Sequence, residues 1–125
     1  MPYQPHPHHR SVAYANQKSQ WLISILDENN CYNKAVYSGW LANQSYWGLH
    51  IQGITPAILG ASPSNAKLFI AKFVGTDDNW HGYPVAHWLS PFDKPAITVL
   101  QAWNDDGYIN RAAKAKIHRG KKWNP

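Results

Sequence analysis

Much of what usually marks the function of a small protein is missing from these 125 residues. There is one cysteine, Cys31, which excludes an intramolecular disulfide and a disulfide-stapled secreted scaffold. Cys31 has no motif of a catalytic thiol beside it and reads as a small core residue. No apolar run reaches the length needed to span a bilayer. The longest apolar-leaning stretch, AKLFIAKFV at 66–74, is short and carries two lysines. The opening MPYQPHPHHR lacks the apolar centre of a signal peptide. Gly39, Gly48, Gly53 and Gly60 stand alone and match neither GxGxxG nor GxxxxGK(S/T), so a phosphate-cradling loop is not expected. No CxxC or HxxxH spacing supports a metal centre. A soluble cytoplasmic protein with no metal, no cofactor and no membrane contact is the expectation.

Acidic charge is also scarce in one place. From Gly107 onward the chain carries Arg111, Lys114, Lys116, Arg119, Lys121 and Lys122 and no acidic side chain. The net charge of +5 therefore sits in the last segment, while residues 1–106 are close to neutral. Clustered Lys and Arg suit a phosphate backbone, an anionic surface or an acidic protein partner. The plainer alternative is a solvated basic tail.

What the chain does have is aromatic mass: seven Trp, seven Tyr and three Phe. Rings of that number dominate the packing of a core this small, and the length fits one domain. Residues 1–10, with three prolines and three histidines, read as a flexible His/Pro-rich arm; His6, His8 and His9 would have no fixed geometry for a metal. Residues 11–125 read as one α+β domain. A helix is expected from Ser11 through Leu26, closing at Asp27 to Asn30, with a second short one at 32–41. Alternation predicts strands at Trp47–Ile51 and Lys67–Val74, the latter ending in the turn cluster GTDDN. Asp93 is placed to cap a helix starting near Pro95, with Ala96, Val99, Leu100 and Trp103 on its buried face. Asn110 caps a second helix, Arg111 to about Arg119, closed by Gly120. The fold class is a small antiparallel sheet packed against several helices, ending in a pair that resembles a helix-turn-helix in outline.

Two constellations point to chemistry. The final helix turns Arg111, Lys114, His118 and Arg119 outward, followed by Lys121 and Lys122; such cations contact phosphate without reading sequence. The second is WHGYPVAHW at 80–88, expected as a stiff loop between the main strand and the Asp93 helix. Trp80, Tyr83 and Trp88 are candidates for stacking on unpaired bases. His81 and His87 are candidates for the base and acid of a metal-independent ribonuclease of toxin type. The competing account is a rigid turn whose rings fill the core. Together these features predict a nucleic-acid-binding protein, RNA or single-stranded DNA favoured over duplex, with RNA cleavage as an extension. A protein-protein interaction module using the aromatic loop and the basic tail is the rival class.

Overall fold

The computed structural model describes residues 3–125. It is an α+β fold with two antiparallel sheets and three α-helices. One sheet has three short strands in the order β1 (Gln20–Trp21), β5 (Gly60–Ala61), β6 (Lys67–Leu68). The other runs β2 (Leu41–Ala42), β3 (Ser45–Gln52), β7 (Ile70–Thr76), β8 (Asn79–Val85), with β4 (Thr55–Ala57) paired to the far end of β3. The helices are α1 (Ile25–Tyr37), α2 (Ile97–Asp105) and α3 (Arg111–His118).

Local chemistry sets these boundaries. Ser24 caps α1 by accepting from the Asp27 backbone N–H at 3.0 Å, and the carboxylates of Asp27 and Glu28 suit the positive end of the helix. The expected helix from Ser11 is therefore corrected. Residues 12–14 form a single 3-10 turn, Trp21 lies in β1, and the acidic pair opens α1 instead of closing its predecessor. Asn43 and Gln44 both hold positive φ, 54° and 68°, the geometry of the tight turn that joins two twisted strands. Asp93 does not cap α2. That helix starts at Ile97 after Ala96, and Asp93 lies in a 3-10 turn, Pro91–Asp93. Asn110 caps α3 as expected, accepting from Ala113 N–H at 2.8 Å.

The larger correction concerns WHGYPVAHW. Residues 80–85 are the heart of β8, paired with β7 throughout their length from Thr76↔Asn79 to Ile70↔Val85. Gly82 and Pro84 disguise this strand in the sequence. Each has a physical reason to be there. A Cβ at residue 82 would fall 2.3 Å from the Phe73 ring, so only glycine lets Phe73 lie flat across the strand. Pro84 sits where β8 has no outer strand neighbour, so its missing N–H breaks no ladder bond.

Alternation along the strands sorts the sheet into two faces. Phe73, Gly82, Pro84 and Tyr46 face α1, where the Tyr32 ring meets Phe73 at 5.4 Å and Tyr46 at 6.2 Å. Trp47, Leu49, Ile70 and Val85 lie on the other face and are buried. Trp40, just before β2, meets Trp103 of α2 edge-on at 5.9 Å, and both are buried.

Residues 3–10 of the expected arm lie along β8 and α1; residues 1 and 2 of that arm lie outside the described residues. Tyr3 bridges to Trp80, and Gln4 N–H donates to the Trp80 carbonyl at 2.8 Å. Further along β8, Trp21 Nε1–H donates to the Gly82 carbonyl and Ser19 Oγ to the Pro84 carbonyl. The outward carbonyls at 80, 82 and 84 are thus each satisfied, which covers an edge that would otherwise invite pairing with another chain. Below this strap, Arg10 and the Tyr3 hydroxyl both donate to Glu28, whose side chain is 0 % exposed. A buried carboxylate holding two donors is what fixes the segment to α1.

Candidate nucleic-acid interface

The residues picked out at 80–88 are distributed over three neighbourhoods. Trp80 packs on the α1 side, its ring 5.2 Å from Tyr46 and 6.3 Å from Tyr32. His81 and Tyr83 point to the opposite face. There His81 lies 5.4 Å from His6, and Tyr83 is stacked under His9 at 5.1 Å. His87 and Trp88 follow β8 and turn to the C-terminal segment. The Nε2 of His87 lies 2.6 Å from the Lys121 carbonyl, and Lys122 Nζ sits 5.3 Å over the Trp88 ring. His81 and His87 therefore serve different neighbours.

His87 is buried and must donate from Nε2, because its partner is a carbonyl. Burial lowers its pKa, and the Lys121 carbonyl opposes that shift in part. It acts as a clip holding the tail. A second imidazole in a defined environment lies outside the WHGYPVAHW motif, at His9. Its Nδ1 faces the Ser19 carbonyl at 2.8 Å and so carries the proton, leaving the Nε2 lone pair open. Burial lowers its pKa, as do His6, Lys18 and His81 nearby.

His9 lines a cavity of about 440 Å³ with Tyr83, Asp93, Lys18 and the buried Leu68 and Val85. Burial, with Asp93 alongside, pushes the Tyr83 phenol up to about 12. Burial also raises Asp93, against the pull of Lys72. Lys72 donates to the Phe92 carbonyl at 2.6 Å and lies 3.9 Å from Asp93, so it holds the 91–93 turn over the sheet. The sequence signal for this pocket was the string of histidines at 6–9. It was legible as imidazole but not as structure, since nothing local tells which strand the segment covers. Among the described residues no group of three His, Cys, Asp or Glu side chains is arranged to hold a metal ion.

The C-terminal segment is built differently. Ala113 and Ile117 of α3 are buried, and this one inward stripe leaves Arg111, His118 and Arg119 on the solvent side. Lys116, Lys121 and Lys122 are exposed as well; Lys114 is half-buried and donates to Gln101 Oε1 at 2.6 Å. Trp123, buried and 5.8 Å from the Phe69 ring, pins the segment after α3 to the body. Lys94 Nζ donates to the His118 carbonyl, closing the end of α3. Among the described residues, the ion pairs are Arg10 with Glu28 and Lys72 with Asp93. Both lie outside the basic segment, whose cations are thus presented without a carboxylate partner.

A second cavity, about 450 Å³, opens on the flank of α3. Its floor is Ile109, Ala113 and Trp123, and its rim includes Ile54, Ala112, Lys116 and Asn124. Among the described residues no helix is long and apolar enough to cross a membrane. No protein-family model matches the chain, and neither the curated proteins nor the solved structures compared with it gave a match.

Proposed function

We propose that this protein binds single-stranded nucleic acid in the cytoplasm, RNA favoured, through phosphate contacts from α3 and the residues that follow it. One observation carries the reading. Arg111, Lys116, Arg119, Lys121 and Lys122 are exposed on one rigidly anchored segment, and no carboxylate neutralises them among the described residues. A solvated tail would need no anchor. Here Trp123 and the Lys121 carbonyl are both tied to the body, so the backbone that carries the cations is anchored while their side chains reach solvent. Such cations release condensed counterions from a phosphate chain, and the anchored backbone adds no ordering cost of its own.

The preference for single strands rests on the size of α3. Eight residues make a helix about 12 Å long, and its exposed polar side chains are Arg111, Lys116 and His118, without an Asn or Gln pair to read a base edge in the major groove. Binding is therefore directed by the backbone. Metal-free RNA cleavage by His81 and His87 has less support, because the two imidazoles are engaged with different segments. An acidic protein partner is the second reading, favoured by the exposed Leu22, Ile25 and Leu26 at the start of α1, a patch of the kind partners cover.

The test is titration of a labelled 12-nucleotide RNA by fluorescence anisotropy at several salt concentrations. Binding at low salt that weakens with salt supports the reading. An absorbance ratio at 260 and 280 nm raised by co-purifying nucleic acid would support it independently. Absence of binding at low salt would sink it.

A further inference from the structure

Lys116 belongs to two features at once: it is one of the exposed cations of α3, and it stands on the rim of the cavity beside that helix. We infer that this cavity receives one unpaired nucleobase of the strand whose phosphates lie along α3. The inference rests on the proposed phosphate-binding reading and extends it from the backbone to a base.

Three properties of the cavity fit a base. Its floor is apolar: Ile109, Ala113 and Trp123 are buried there, and Ile54 on the rim is 75 % exposed and free to cover a ring. Flat rings gain from such surfaces whatever their identity, as stacking platforms for single strands do. Its uncharged polar side chains are the amides of Asn110 and Asn124 and the hydroxyls of Thr55 and Tyr108. The Asn110 oxygen is already used to cap α3, accepting from Ala113 N–H, so its NH₂ remains as a donor. Asn124 is exposed with both amide functions available. Amides placed together match the mixed donor and acceptor edge of a base. No Asp or Glu side chain lines the cavity, and Lys116 is its one basic side chain.

Size and access agree. A volume of about 450 Å³ lies within the range of pockets that take small ring-bearing ligands. The opening is kept by small residues: Ala112 is exposed on the wall, and a bulkier side chain there would fill the space. Lys116 follows Ala112 by one helical turn on the same face. A base entering past Ala112 therefore brings its own phosphate to Lys116.

The experiment compares a 12-nucleotide RNA with the same strand made abasic at its central positions, by anisotropy at fixed low salt. The parent protein should bind the intact strand about tenfold more tightly, the loss expected for one stacked base. Ala112→Phe, on an exposed helical position, should remove that preference while leaving the salt slope and the affinity for the abasic strand as they were. Ile54→Ser provides a second variant on an exposed rim, expected to act in the same direction should Ala112→Phe lower the melting temperature. Equal affinity of the parent for intact and abasic strands overturns the base site and leaves the phosphate reading standing. So does an unchanged preference in both variants. Binding of neither strand overturns the phosphate reading, and the base site with it.

Discussion

The two ends of this chain look alike as sequence and are used in opposite ways. Each is short, polar and rich in side chains that carry or acquire positive charge. The first end is consumed by the fold. Arg10 is paired with a carboxylate that is 0 % exposed, Tyr3 lies stacked on Tyr32 at 4.8 Å, and Gln4 closes the edge of β8. The other end is held by its apolar residues, Ile117 and Trp123, while its cations stay in water. The difference teaches where to look for function in a basic protein. A cation paired with a buried carboxylate is part of the architecture. Cations fixed in place and left unpaired are available to a partner.

The largest expected effect comes from undoing the first end. Arg10→Ala leaves Glu28 buried without its cation, and removing one member of such a pair costs about 3 to 5 kcal/mol. Urea denaturation should show that loss. A change below about 1 kcal/mol would mean that the N-terminal strap is not part of the folded unit. Trp103→Ala should cost a similar 3 to 5 kcal/mol, since Trp103 is 0 % exposed against Trp40; retention of parental stability would refute the packing of α2. By contrast, Arg111→Ala, Arg119→Ala and Lys121→Ala should each change stability by less than about 0.5 kcal/mol. Their effect should appear in RNA binding, where removal of each phosphate-binding cation reduces the log–log salt slope by roughly 0.7 on a single strand.

Smaller effects sharpen the contrast by pH. His6 and His9 have pKa values lowered by burial and by the mutual proximity of His6, His8, His81 and Lys18; burial lowers His87 as well. A lowered folded pKa means that the unfolded chain takes up more protons below about pH 6.5. Stability should therefore be level between about pH 7 and 8 and fall as pH drops from about 6.5 toward 5. Asp93, raised by burial, acts in the opposite sense, but only in the carboxylate range. His9→Gln should flatten the decline in thermal unfolding midpoints measured across that window. No flattening would show that the strap does not sense the proton. The smallest effect concerns Trp80: Trp80→Ala should destabilise, because its ring is packed on Tyr32 and Tyr46, with no separate loss of RNA affinity. A native-like variant with weakened binding would return Trp80 to the interface.

Much of the second half of the fold was legible in the sequence. Asn110 and Gly120 bracket α3 with cap chemistry, and the 3.6-residue stripe Val99, Leu100, Trp103 marks the buried side of α2. These are local signals. The misreadings share one cause, which is that the deciding partner is remote. Gly82 and Pro84 look like loop residues until Phe73 is placed against one and a sheet edge with no outer strand beside the other. The placement of residues 3–10 depends on Glu28 and β8, which receive Arg10 and Tyr3. Of the interface residues, Arg111, His118 and Arg119 lie on the solvent side as their spacing implied, whereas Lys114, expected there too, is half-buried and engaged with Gln101. The cavity rim was not legible, since it joins Ile54 after β3 to Asn124 beyond α3.

The most direct test of the central claim is the salt dependence of binding to a mixed-sequence single-stranded RNA. With four to six phosphate contacts from the C-terminal segment, log affinity should fall against log salt with a slope of roughly −3 to −4. Replacing Arg111, Lys116, Arg119 and Lys121 together by Gln should reduce the slope by about 2.8, to roughly −1 or shallower, in a protein that remains folded by circular dichroism. A flat salt dependence in the parent, or a steep one that survives the fourfold substitution, would contradict the account.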